Sequence, residues 1–127
     1  MTNILANAFS LGMISSIVPH HNNRYAYDVG LSISIKEIDA SDIPEDAVSV
    51  IGHADTARVL SSVLGREIAF NRVSYTAEHG DRIYVAQLSG PRLPEGATEL
   101  PEGATFKFYK IEGIGTNYPD DLFTEGL

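Results

Sequence analysis

The stretch from Ala47 to Gly65, AVSVIGHADTARVLSSVLG, constrains the fold more than any other. It opens with a short apolar run, AVSVI, of the kind that fills a buried strand, and passes through Gly52-His53 into a helical pattern. Val59, Leu60, Val63 and Leu64 fall on one helical face, and Gly65 stands where a helix takes a left-handed C-terminal cap. A buried strand that runs straight into an amphipathic helix is a unit of α/β architecture.

The rest of the chain supplies strands around this unit. Thr2 to Ala6 (TNILA) reads as a buried strand. After Ser10, a good N-cap residue, Leu11, Ile14, Ile17 and Val18 recur at helical spacing, and Pro19 ends that second helix. Tyr25 to Ile35 alternates Leu31, Ile33 and Ile35 with polar residues, as a strand does. Asp39 to Asp46 is an acidic loop. Arg66 to Ala77 reads as a strand, His79-Gly80-Asp81 as a turn, and Arg82 to Leu88 as the hairpin partner. A near-repeat, LPEGATE then LPEGATF, is a Pro- and Gly-rich surface loop, too short to be a solenoid. Thr105 to Ile111 is the last expected strand, and the segment from Glu112 a peripheral tail. The fold expected is a single α/β domain over residues 1–111, a mixed β-sheet with about two flanking helices, with a tail over 112–127.

Composition narrows the functions open to such a domain. With 127 residues and 43% hydrophobic content, the chain can bury one real core. It has no Cys, which excludes disulfides, thiolate metal sites and a Cys nucleophile. The net charge of −8 makes it a poor binder of long nucleic acid, because phosphate neutralisation supplies most of that affinity. The opening MTNILANAF lacks the features of a signal peptide, and no stretch approaches the ~18 apolar residues of a membrane span. A cytoplasmic protein with no membrane partner is expected. His20 and His21 are adjacent and would point apart on regular structure, without a carboxylate at ligand spacing, so neither a metal nor another cofactor is expected.

Two strand-to-helix transitions carry small polar residues, Asn7 to Ser10 and Gly52 to Thr56. Free N–H groups at helix starts suit phosphate, although Ser and Asp there also serve as plain caps. His53 follows a strand directly, at the edge where open α/β sheets bind ligands, and imidazole exchanges protons near neutral pH. On residue pattern alone, a lone His at such a place is more often a surface or capping residue. Arg72 and Arg92 stand out in a chain with 9 basic residues. A guanidinium suits bidentate phosphate contacts, although by residue type alone surface salt bridges are the commoner use of such an arginine in an acidic protein.

Taken in order, LANAFSLGMI, VIGHADTARVLSSVLG, FNRVSYTAEHGDRIYVAQLSGPRLPEGA and FKFYKI resemble the viral ring nuclease family, the type III anti-CRISPR nucleases of archaeal viruses and phages. The resemblance runs from about Ile4 to Ile111. It implies a homodimer that holds cyclic tetra-adenylate, the alarm molecule of type III CRISPR systems, across its two-fold axis. It implies that His53 is catalytic, with Arg92 and Glu95 beside the chemistry, and that Asn7, Ser10, Thr56, Arg72 and Gln87 contact the ligand. Ala6 departs from the pattern, where Thr is expected before NAFS. The implied reaction is attack of a ribose 2′-hydroxyl on its own phosphodiester, with no metal. A nucleotide-sequestering module would carry the same pocket without the cleavage, and a host-encoded ring nuclease would share the chemistry.

Overall fold

The structure is a computed structural model that describes residues 2–14 and 30–117. A five-stranded sheet is built from β1 (Asn3–Ala6), β2 (Gly30–Ile38), β3 (Val48–Ser49), β4 (Arg82–Ser89) and β5 (Thr105–Asn117), in the order β2-β5-β4-β1-β3. β1 pairs in parallel with β3 and β4, while β5 runs antiparallel to both β4 and β2. All strands except β5 therefore point the same way, and their carboxyl ends share one edge of the sheet. The helix α1 (Ala54–Leu64) crosses from β3 to β4, as a parallel connection requires.

Burial explains why the inner strands read as they do. Ile4, Leu5 and Ala6 of β1 are buried in succession, and so are Ile83, Tyr84, Val85 and Ala86 of β4. A strand covered on both faces is apolar at every position rather than at every second one. On one face Leu5, Tyr84, Ala86 and Phe108 pack against Ala57 and Leu60 of α1. On the other face Ala6, Ile83, Val85 and Ile111 meet Ile14 and Ala77. This layering corrects the hairpin expected between Arg66–Ala77 and Arg82–Leu88: β4 takes β1 and β5 as its neighbours.

The stretch 66–77 forms no strand. It makes single hydrogen bonds instead of a ladder. Ala69 C=O accepts from Ser49 Oγ at 2.6 Å, Asn71 N–H donates to Ile51 C=O at 2.8 Å, and Ala77 N–H donates to Met13 C=O. Asn71 Nδ2 also donates to Ser49 C=O at 2.9 Å, a side-chain bond that competes with sheet pairing.

Over its described residues the second expected helix is a 3-10 turn, Leu11–Met13, with Ile14 at φ −119° and ψ 3°, already outside helical geometry. Ile17 and Val18 lie outside the described residues, as do His20, His21 and Tyr25. α1 is thus the one α-helix among the described residues. Its buried residues are Ala57, Val59 and Leu60, while Val63 is 38% exposed, so the apolar face is turned away from Val63. Gly65 caps it at φ 69° as expected. β3 is an edge strand with Val48 49% exposed rather than a buried one, and only Ile51 of AVSVI is fully enclosed. β5 continues beyond Ile111 to Asn117, with Gly30 paired to Asn117 at the far end.

Candidate functional site

The near-repeat resolves into two β-turns of one design. Ala97 N–H bonds Pro94 C=O and Ala104 N–H bonds Pro101 C=O, both at 3.1 Å. Gly96 and Gly103 occupy the third turn positions at φ 79° and 84°, values that type II turns need and L side chains avoid. The second turn seats its Gly103 carbonyl against Gly90, which has φ 100° and no room for a Cβ. The first turn lies against α1. The β4–β5 connection is thereby folded back over the carboxyl edge of the sheet.

That connection closes a pocket of about 280 Å³ lined by His53, Asp55, Thr56, Leu88, Arg92 and Leu93. His53 is the N-cap residue of α1. Its carbonyl accepts Ala57 N–H at 3.0 Å, and its imidazole makes no capping hydrogen bond. The ring is exposed, with its polar atoms uncommitted to the helix. Arg72 packs against the preceding residue: a Cβ on Gly52 would sit 3.2 Å from Arg72 Cγ. Among the described residues neither Arg72 nor Arg92 makes an ion pair, whereas Arg58 pairs with Asp55 and Arg82 with Glu112. The salt-bridge alternative is not realised at either arginine among these residues.

Asn7, Ser10 and Gln87 lie on the opposite face of the same edge. Asn7 and Ser10 line a cavity of about 350 Å³, walled also by Val50, Tyr75 and Thr76. Asn7 also borders a third cavity, of about 310 Å³, with Gln87, Phe9 and Tyr109. Gln87 and Leu88 are consecutive strand residues, so they point to opposite faces and divide the two sides of the site. Glu95 is exposed at the tip of the first turn and does not line the His53 pocket. Asn7, Ser10, His53, Thr56, Gln87 and Arg92 thus gather along one edge, in three concavities rather than in a single cavity, while Arg72 and Glu95 line none of the three.

Sequence reasoning passed over two residues that line these concavities and a third, at the amino end of β4, that anchors one of them. Asp55 lines the His53 pocket. Tyr75 walls the Asn7 cavity, and its hydroxyl donates to Asp81 Oδ2 at 2.5 Å. Asp81, expected in a turn, is 5% exposed and also accepts N–H groups from Glu78 at 2.9 Å and Thr2 at 3.1 Å. Burial alone would raise the Asp81 pKa, but the bonds from Tyr75, Glu78 and Thr2 outweigh it and hold the carboxyl below its ordinary range. Burial, and then the Asp81 carboxylate, push the Tyr75 hydroxyl upward, so it stays protonated and donating. The turn signal His79-Gly80-Asp81 gave no hint of this, because turn aspartates are ordinarily solvated.

Among the described residues no group of three or more His, Asp or Glu side chains is placed to hold a metal ion, and no helix is long and apolar enough to cross a membrane.

A mixed sheet with its crossover helix, carrying polar residues at the carboxyl edge, defines a small α/β fold. The chain belongs to the STIV B116-like family, whose model matches residues 3–111. Among solved structures it is similar to B116 of Sulfolobus turreted icosahedral virus, with a TM-score of 0.62 and 21% identity over 88% of this chain and 99% of that one. At that identity the likeness concerns the fold. No functionally curated protein matches the chain.

Proposed function

We propose that this protein is a metal-independent ring nuclease that binds cyclic tetra-adenylate as a homodimer and cuts it to linear di-adenylates with 2′,3′-cyclic phosphate ends. The resemblance in its motifs suggests the substrate. The observation that carries the chemistry is the meeting of His53, Thr56 and Arg92 in one pocket at the start of α1, with the imidazole free of capping duty.

The reaction needs no external nucleophile. A ribose 2′-oxygen attacks the adjacent phosphorus in line and releases its proton to solvent water, the P–O5′ bond breaks, and the leaving 5′-oxygen takes a proton from His53. Arg92 and the free N–H groups at the α1 start hold the non-bridging oxygens as charge shifts onto them. Arg72, beside Gly52, adds positive charge next to the same pocket. Asn7, Ser10 and Gln87, on the other side of the edge, hold ribose and base. Two His53 in a dimer match two opposite phosphodiesters of a four-membered ring. Destroying the ring would silence a type III CRISPR alarm.

His53→Ala tests this reading. It should keep the fold and bind labelled ring with little change, because binding is spread over several residues, while the single-turnover rate falls about 10²–10⁴-fold, the range for general acid catalysis. His53→Asn should fall as far, although Asn is a good cap. An Asn variant that cleaves like wild type would leave His53 as a helix cap and nothing more.

A further inference from the structure

An acidic side chain in a pocket meant for phosphate calls for an explanation, and Asp55 has one. Its carboxylate does not point free into the pocket. Asp55 Oδ1 accepts the Gly96 N–H at 3.2 Å and the Arg58 Nη1 at 3.1 Å. The same Arg58 Nη1 donates to Ala97 C=O at 3.3 Å, and one turn later Ser62 Oγ donates to Thr98 C=O at 2.8 Å. The exposed side of α1 therefore clasps the first PEGA turn along its length. At the other end of the loop, the Gly103 carbonyl fills the space beside Gly90. Arg92 lies between these two fixed points, with little slack on either side.

We infer that Asp55 is a positioning residue: together with Arg58 it fastens the Pro94–Ala97 turn to the first turns of α1, and through that turn it sets Arg92 opposite His53. This rests on the proposed function for the role of Arg92. The clasp itself stands on the hydrogen bonds alone. It also accounts for the weak energetics. The Asp55 and Arg58 side chains are 34% and 46% exposed, and a pair of that kind adds little to global stability. Its value lies in geometry, where a displacement of about 1 Å can cost up to 10²-fold in rate.

The test is a double-mutant cycle on the full chain with labelled cyclic tetra-adenylate. Asp55→Ala should leave thermal unfolding nearly unchanged and slow single-turnover cleavage by about 10-fold or more. Asp55→Asn, which keeps an oxygen to accept the Gly96 N–H, should recover most of that loss. In an Arg92→Ala background, Asp55→Ala should cost nothing further, because its effect passes through Arg92. Full multiplication of the two losses, or an Asp55→Ala protein as fast as wild type, would overturn the inference. If the wild type leaves the ring intact, the functional reading fails by itself. The clasp is then judged by amide hydrogen exchange at Gly96, which should accelerate about 10-fold or more in Asp55→Ala but not in Arg92→Ala. Unchanged exchange at Gly96 would remove the clasp.

Discussion

Asp81 shows how one side chain can fix a wall of the site without touching a ligand. It gathers the Tyr75 hydroxyl and the N–H groups of Glu78 and Thr2, and so ties the loop that walls the Asn7 cavity to the start of β1. Its pKa is lowered in the folded protein, so the unfolded chain binds the proton more readily. The stability it contributes is present above the unfolded value of about 3.9 and is lost as pH falls through the lower folded value. Asp81→Asn should flatten that acid limb and lower stability near neutral pH by about 2 kcal/mol, the scale of a hydrogen bond to a charged group. Urea titrations at several pH values between neutrality and acid measure both effects. Parallel acid limbs for wild type and Asp81→Asn would assign the loss to other carboxylates. Nothing in the sequence marked this residue, since a His-Gly-Asp turn looks the same whether its Asp is solvated or buried.

Among the elements, the β4–β5 connection is held by backbone conformation more than by side chains. Gly90, at φ 100°, faces the Gly103 carbonyl, whereas Gly80, at φ 88°, faces open space. Gly80→Ala should cost about 1–2 kcal/mol, the penalty of a left-handed L-residue. Gly90→Ala adds a steric conflict with backbone that cannot swing away, and should cost about 1–3 kcal/mol more. Equal losses for the two variants in a denaturant titration would mean that the second turn does not press on Gly90. The same element shows what the sequence made legible. The Pro- and Gly-rich loop, the helix after Gly52-His53 and the Gly65 cap were readable because each depends on local chemistry. The pairing of β4 was not. Alternation in RIYVAQL fits a hairpin as well as a central strand, and only the covering of both faces distinguishes them. Over Leu11–Ile14, the described part of the expected helix, periodicity misled for a related reason: helical spacing of apolar residues also suits a short turn that pushes Ile14 into the core. His53, Thr56 and Arg92 could each be nominated from the sequence. That they share a pocket depends on the β4–β5 connection folding back over α1, which residue spacing does not encode.

As a whole molecule, one protomer offers its expected contacts on both faces of a single sheet edge, in shallow concavities of about 280–350 Å³. None of these alone matches the size of a ring of four nucleotides, so the proposed function requires a second copy to complete the site. The mass in solution at micromolar concentration should be that of a dimer, and a monomer with full activity would contradict the proposed geometry. Two-fold symmetry also favours the four-membered ring, so cyclic hexa-adenylate should be turned over far more slowly. Equal rates for the two rings would show that the symmetry argument is wrong. The most direct measurement is incubation of the purified protein with cyclic tetra-adenylate in excess EDTA, followed by chromatography of the products. The account predicts complete conversion to linear di-adenylates ending in 2′,3′-cyclic phosphate. A ring that stays intact, or is cut only after Mg²⁺ or Mn²⁺ is restored, would contradict it.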